Sequence, residues 1–240
     1  VDFLVVQDIF LTDTAKMADV VLPAACFAEK DGTFTCTERR VQRVRKAVEP
    51  PGEAKPDWQI FCELSRRMGF EMSYRSAEDI FEEIRQLLPQ YAGITYARIE
   101  REGLQWPVPD TEHPGTTVLH KETFTRGLGL FVPEKYIPPV EPASEEYPML
   151  FTTGREYSRY NFSSMTGKTA AIDDISPEAL AEINPADAER LGIREKSKVR
   201  ISSRRGSFDI RATLTDRSQE GTIFASYNYA DVPVNSVTLD

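Results

Sequence analysis

Apolar and polar positions follow two different rhythms along the chain. Phe3 to Val6 is an apolar run that predicts a short buried strand, with the polar pair Gln7-Asp8 at its C-terminal end. Thr12 to Ala18 predicts a brief helix capped by Thr12, and Asp19-Val20-Val21-Leu22, ended by Pro23, predicts a second strand. Strand, short helix, strand is the order of an open α/β sheet. Ligands there bind beyond the carboxyl ends of strands, where Gln7 and Asp8 fall. A helix is expected from Asp57 to Met68, with Asp57 as N-cap, Ile60, Phe61, Leu64 and Met68 on one face, and Gly69 as the stop. Ser76 to Leu88 predicts another, in which Ser76 and Asp79 have capping-box spacing and Ile80, Phe81, Ile84, Leu87 and Leu88 form the stripe.

Residues 89–148 lose this periodicity and are rich in Pro, Gly and aromatics. They read as a long connection over a surface, or as the edge of a domain. From Tyr147 the rhythm is that of strands. YPMLFTTGR is a strand ending in a Gly-containing turn, and GTIFASY is another strand. INPADAERLGI is a compact helix with Asn184 as cap, Pro185 at its first position and Gly192 as stop. KVRISSRRGSFDIRATLT is a pair of strands around Arg204-Arg205-Gly206. This half reads as a small β-rich domain, a barrel, with one or two short helices.

Composition narrows the classes. The chain has 240 residues, 40% of them hydrophobic, and a formal net charge of −9. That charge argues against a general nucleic-acid binder, which needs clustered surplus Lys and Arg, but leaves room for a local basic pocket. No stretch approaches the roughly 18 consecutive apolar residues of a membrane span. Cys26, Cys36 and Cys62 are odd in number and share no CxxC spacing, which argues for a reducing compartment and against a disulfide framework or a self-contained zinc or iron–sulfur site. The abrupt start at Val1, with no signal peptide, and the equally abrupt end at VPVNSVTLD read as a segment of a longer polypeptide.

Four places carry candidate chemistry. Gln7-Asp8 is either a ligand-binding strand end or a turn in which Asp8 caps the next segment. Lys30 with Gly32 and Arg39-Arg40 is either an anion cradle or a solvated loop. Asp57 is either a ligand or only the helix cap. TTGREYSRYNFSSMTG, residues 152–167, combines a turn at Gly154 with two arginines, two tyrosines and an asparagine. So many donors and aromatics favour a polyanion site over a plain surface loop. His113 and His120 are too isolated for a catalytic or metal role, and no Ser/His/Asp or Cys/His set, GxGxxG after a strand, or P-loop is present. No catalytic and no metal-ligating residue is assigned.

Taken together, VVQDIFLTDTAKMADVVLPA, EKDGTFTCTERRVQ, PPGEAKPDWQI, TTGREYSRYNFSSMTG and INPADAERLGI resemble the C-terminal part of the catalytic subunits of the molybdenum or tungsten bis-pterin oxidoreductases. Within that superfamily they are most similar to formate dehydrogenases, as is LQWPVPD in the connection. The resemblance implies an α/β plus β-barrel fold. Residues 1–90 would be the tail of the α/β domain, 91–146 a connector, and 147–240 a double-psi-type, molybdopterin dinucleotide-binding barrel truncated at its C-terminus.

It also implies a cofactor, a molybdenum or tungsten bis(molybdopterin guanine dinucleotide), and a role for each candidate. Gln7 and Asp8 would hold one guanosine end, Lys30 would meet a phosphate or ribose, and Asp57 would accept from the guanine N1–H and N2–H. Thr153, Gly154, Arg155, Glu156, Tyr157, Tyr160, Asn161 and Phe162 would contact the other pterin arm. Tyr227 would lie near the substrate funnel and Asn235 would bind the pterin. Cys36 stands where the family often has Asn. The family's [4Fe–4S] cysteines, metal ligand and catalytic His and Arg belong to sequence upstream of this chain. The implied partners are that N-terminal part of the catalytic subunit, electron-transfer subunits and formate, with no nucleic acid and no membrane span, in the cytoplasm. The implied reaction is the two-electron oxidation of formate to CO2. A nitrate reductase of the same superfamily, or a non-catalytic cofactor-binding or structural subunit, is the alternative.

Overall fold

The computed structural model describes residues 1–238 of the chain. By their contacts they form two compact units that divide between Phe131 and Val132. Among the described residues no helix is long and apolar enough to cross a membrane.

The first unit opens with β1 (Val5–Asp8), α1 (Asp13–Lys16) and β2 (Val20–Pro23). β1 and β2 pair in parallel, with Gln7 opposite Leu22 and Asp8 opposite Pro23. Thr12 caps α1 by accepting from the Ala15 amide at 3.2 Å. The expected buried strand at 3–6 is displaced to 5–8 and is not buried, with Phe3 64% and Val5 48% exposed. The reason is that β1 has a strand on one side only, and nothing described in the unit covers its apolar side.

A three-stranded antiparallel sheet follows, β3 (Gly32–Thr35), β4 (Arg40–Val44) and β5 (Leu104–Gln105), in the order β3-β4-β5. The hairpin between β3 and β4 turns through Arg39, whose φ is 69°, with the Cys36 amide donating to the Arg40 carbonyl at 3.1 Å. α2 (Asp57–Arg67) and α3 (Ala77–Leu87) stand where expected. Ser76 caps α3 by accepting from the Asp79 amide at 3.1 Å.

The core of this unit gathers Val41 of β4, Phe81 of α3, and Ile94, Tyr96, Ile99 and Val108 from the segment after α3. The stretch 92–108 thus supplies much of the unit's core. The stripe on α2 is corrected: Ile60 is buried, but Phe61, Leu64 and Met68 are exposed, because no described element of the unit packs on that face.

The second unit holds a mixed five-stranded sheet. Its strands are β6 (Leu150–Gly154), β7 (Leu180–Ile183), β8 (Lys198–Ser202), β9 (Ser207–Leu214) and β10 (Thr222–Ser226), in the order β6-β10-β7-β9-β8. β8 and β9 form the expected hairpin, closed by the Ser203 amide donating to the Gly206 carbonyl at 2.9 Å. α4 (Ala170–Ile175) precedes β7, and α5 (Pro185–Leu191) follows it.

The expectation for α5 holds residue by residue. Asn184 accepts from the Ala186 amide at 2.9 Å, Pro185 opens the helix, and Gly192 ends it at φ 67°, a left-handed conformation that costs glycine little. Ala181, Ile183, Ala188, Phe208, Ile210, Ala212 and Ala225 make the core between sheet and helix. Burying a side chain such as Ile183 is worth about 1.5–3 kcal/mol. Asp187, 2% exposed, holds the turn before β10 by accepting from the Gly221 amide at 2.7 Å.

Candidate functional site

In the first unit three of the sequence candidates meet. Gln7 sits at the C-terminal end of β1, Lys30 follows a single 3₁₀ turn (Phe27–Glu29), and Asp57 is the first residue of α2. Gln7 Nε2 donates to Asp57 Oδ1 at 2.7 Å, and Lys30 Nζ forms a salt bridge with Asp57 Oδ2. The expectation that Asp57 caps its own helix is corrected: the N-cap is Pro56, which gives no side-chain bond, and the Asp57 carboxylate is directed at Gln7 and Lys30 instead. It stays at the positive end of α2, where a carboxylate is favoured. Burial pushes the Asp57 carboxyl up, but the bonds from Lys30 and Gln7 outweigh it and hold the group below its ordinary value.

An ionised carboxylate offers about four acceptor positions. Gln7 and Lys30 take one on each oxygen, and the Asp57 side chain is 43% exposed, so acceptor capacity faces outward. Lys30 also lines a cleft of about 380 Å³, with Lys46, Arg75 and Trp58 and with the carboxylates of Glu29, Asp31 and Glu49. Lys46 is paired with Glu49 and Arg75 with Asp79, so it is Lys30 beside the exposed Asp57 carboxylate that suits a ligand carrying both phosphate and an N–H-bearing base. Asp8 behaves as the turn alternative described: its Oδ1 accepts from the Phe10 amide at 2.9 Å.

Arg39 and Arg40 are not brought to this cluster. The Arg39 guanidinium donates to the Trp106 carbonyl and lies 5.7 Å from the Trp106 ring centre, while Arg40 pairs with Glu38 at 2.6 Å and donates to the Gly103 carbonyl at 3.1 Å. They fasten β5 to β4, so that half of the basic loop has a structural role and Lys30 stands as its one contribution to the cluster.

In the second unit β6 and β10 are parallel neighbours, with Thr153 opposite Ala225 and Gly154 opposite Ser226. The segments leaving them therefore emerge at the same end of the sheet. After β6 the chain runs through Arg155, Glu156, Tyr157, Tyr160, Asn161 and Phe162, and Asn161 and Ser163 take positive φ of 48° and 58°. Tyr157, Tyr160 and Phe162 are exposed. The Ser163 hydroxyl oxygen is buried with no partner among the described residues, an open valence in a loop otherwise rich in donors.

The segment after β10 holds this loop in place. Asn228 accepts from the Glu156 amide at 2.7 Å and donates to the Asn161 carbonyl. Tyr229 donates to the Glu156 carboxylate at 2.5 Å, and the buried Arg159 guanidinium bonds Asp173 at 2.7 Å and lies 4.5 Å from the Tyr229 ring centre. Arg155 donates to the Tyr227 hydroxyl, and the Tyr227 ring lies 5.5 Å from that of Phe162. Asn235 lies in the single 3₁₀ turn Val234–Ser236 and is exposed. Sequence reasoning singled out Tyr227 but missed Ser226, Asn228 and Tyr229. The available signal was the polar run SYNY closing an apolar strand.

Two family models match, Molybdopterin oxidoreductase over residues 1–67 and the molybdopterin dinucleotide binding domain over residues 149–240. The chain belongs to the molybdopterin oxidoreductases, and its second unit carries that family's dinucleotide-binding domain. It is 49% identical over 99% of its length to the F420-dependent formate dehydrogenase 2 subunit alpha of Methanococcus maripaludis. It is 40% identical over 95% of its length to the assimilatory nitrate reductase catalytic subunit of Bacillus subtilis. The chain spans 36% and 34% of those two proteins, about a third of each. Among solved structures, acetylene hydratase from Pelobacter acetylenicus shares the fold at a TM-score of 0.68 and 22% identity, over 95% of this chain and 33% of that one.

Proposed function

We propose that the chain is the cofactor-binding C-terminal part of a molybdenum or tungsten bis(molybdopterin guanine dinucleotide) formate dehydrogenase. The observation that carries the reading is the convergence of Gln7 and Lys30 on Asp57 across 50 and 27 residues of sequence. The 49% identity to a formate dehydrogenase alpha subunit, against 40% to a nitrate reductase, favours formate as the substrate.

The side chains fit the cofactor by their chemistry. Asp57, with acceptor positions left beside Gln7 and Lys30, would take the guanine N1–H and N2–H, and Lys30 would serve a phosphate or ribose oxygen. Gln7 and Asp8 would hold the same guanosine end, Gln7 by keeping the Asp57 carboxylate oriented. In the second unit the loop Thr153–Phe162 would contact the other pterin arm with amide and guanidinium donors, and Asn235 would bind a pterin. Arg155 fixes the direction of the Tyr227 hydroxyl, which would line the approach of formate. When bound, the cofactor supplies the metal–dithiolene centre that receives two electrons as formate becomes CO2. This chain binds and orients that group. A [4Fe–4S] cluster and electron-transfer subunits would be supplied by residues and partners outside it.

On the same reading residues 1–90 belong to the α/β domain, 91–146 connect, and 147–240 form a double-psi-type barrel, in a cytoplasmic enzyme.

GDP, half of one cofactor arm, is the probe. Titrated into the full chain by calorimetry, it is expected to bind the wild type and to lose the first unit's binding event, but not binding at the second unit's loop, in Asp57→Ala and in Lys30→Ala. A folded wild-type chain that takes up no GDP overturns the preformed site.

A further inference from the structure

Asn228 is fully buried, two residues beyond β10, and every hydrogen-bonding position of its side chain is engaged. Oδ1 accepts from the Glu156 amide at 2.7 Å and from the Ser226 hydroxyl at 2.6 Å. Nδ2 donates to the Asn161 carbonyl and, at 3.4 Å, to the Arg159 carbonyl. One side chain thus ties together backbone groups from both ends of the segment 156–161.

The orientation of the amide is fixed by its surroundings. Reversed, it would set two N–H donors against an amide N–H and a hydroxyl hydrogen, and an oxygen against two carbonyls. The backbone it holds is costly to hold. Asn161 and Ser163 both occupy left-handed conformations, which persist only where neighbours over-determine them. The surrounding contacts, Tyr229 to Glu156 and Arg159 to the Ser176 carbonyl, engage side chains of the loop; the Glu156 carbonyl accepts from the Arg159 amide at 3.2 Å, and the Glu156 amide and the Asn161 carbonyl are left to Asn228.

We propose that Asn228 is a positioning residue of the cofactor site. It sets the conformation of the 155–163 loop in the free chain, so that the ordering entropy of the loop is met by folding and not by cofactor binding. The proposal rests on the reading that this loop contacts a pterin dinucleotide arm.

Asn228→Asp is the decisive variant. It keeps the shape and the acceptor facing Glu156, but turns a carboxylate oxygen toward the Asn161 and Arg159 carbonyls. Ser226→Ala removes the hydroxyl that donates to Oδ1 and accepts from the Asn228 amide at 3.2 Å, and leaves all three ties of the side chain to the loop backbone. Hydrogen exchange of the full chain reads the loop directly, without cofactor or activity. Asn228→Asp is expected to speed exchange at 155–163 at least tenfold while the β7 and β9 amides keep their wild-type rates, and Ser226→Ala is expected to leave the loop within twofold of wild type.

Loop exchange unchanged in Asn228→Asp overturns the proposal. Should Asn228→Asp open the whole unit, the uncharged Asn228→Ser decides on the same two criteria. The cofactor reading is tested separately, by whether excess GDP slows exchange at 155–163 in an Asp57→Ala chain, where the first unit's site is disabled. Slowing there, lost in the Asn228 variant, supports the positioning role. A loop that Asn228 orders but GDP never protects overturns that role while leaving the tie itself standing.

Discussion

Gln7 and Asp57 lie fifty residues apart in sequence, yet the amide of one donates to the carboxylate of the other at 2.7 Å, with Lys30 on the second oxygen. The carboxylate is therefore oriented before any ligand arrives. An orienting neutral donor and a charge-compensating amine on one carboxylate is an arrangement that a helix cap does not need.

The pH dependence of this cluster follows from the lowered Asp57 carboxyl. A carboxylate whose pKa is depressed by folding contributes stability that is present above its unfolded value, near 3.8, and is lost as pH falls through the folded value. The stability difference between wild type and Asp57→Asn is expected to be flat from pH 5 to 8 and to shrink below about pH 4. Denaturant melts across that range check it, and a difference that grows on acidification contradicts the ion pair.

Gly93→Ala is expected to damage the first unit. A Cβ at this position would come 1.8 Å from the Asp110 carbonyl oxygen, so the backbone itself must move. The Gly93 amide also donates to the Val108 carbonyl at 2.7 Å, beside the buried Ile94. A loss at or above the upper end of the roughly 1–3 kcal/mol usual for overpacking is expected in denaturant unfolding of the full chain. Gly52→Ala, with open space around it, carries only the cost of its positive φ and is expected to lose less.

Asn184→Ala removes the cap of α5 and the donor to the Ser218 carbonyl at 2.8 Å. Loss of the cap alone costs about 0.5–2 kcal/mol. Thermal melting of the full chain is expected to show that loss, and Asn184→Asp, which keeps the cap acceptor but sets a carboxylate oxygen against the Ser218 carbonyl, is expected to recover only part of it.

Limited proteolysis is expected to cut first between residues 119 and 148. Leu128, Leu130, Phe131, Tyr136 and Ile137 there are 65–97% exposed, and the segment has no regular helix or strand. The fragment carrying 150–238 is expected to outlast the fragment carrying 1–118, because its core joins five strands and a helix whereas β1 and β2 form a two-stranded sheet with exposed apolar side chains. Mass spectrometry of the early products decides. A durable N-terminal fragment with a degraded sheet contradicts the expectation.

These cases also show what was legible in the chain. α5 could be read from Asn184, Pro185 and Gly192 because cap, first turn and stop are local signals, and the β8–β9 hairpin from its glycine turn flanked by strand formers. The β3–β4 hairpin was not legible. Its turn uses Arg39 at positive φ, where Gly or Asn is the usual signal, and its residues alternate weakly. Asp57 looked like an ordinary cap because its partners lie 27 and 50 residues away, and no short window contains them. Resemblance singled out Gln7, Lys30 and Asp57 as a set. It did not reach Asn228, whose role depends on β10 lying parallel to β6 across more than sixty intervening residues.

That strand order bears on when the loop can form during synthesis. β6 leads the second unit, yet its neighbour β10 is the last strand to be made. A nascent chain that has emerged as far as residue 215 carries every residue of the 155–163 loop and four of the five strands of the sheet, but neither the strand that pairs with β6 nor the Asn228 and Tyr229 side chains that hold the loop. The loop is thus among the last parts of the unit to order, through a contact of long sequence separation. On the proposed role of Asn228, loading of a ligand at this end of the sheet would be restricted to chains translated past Tyr229, and a truncated product would not compete with finished protein for it.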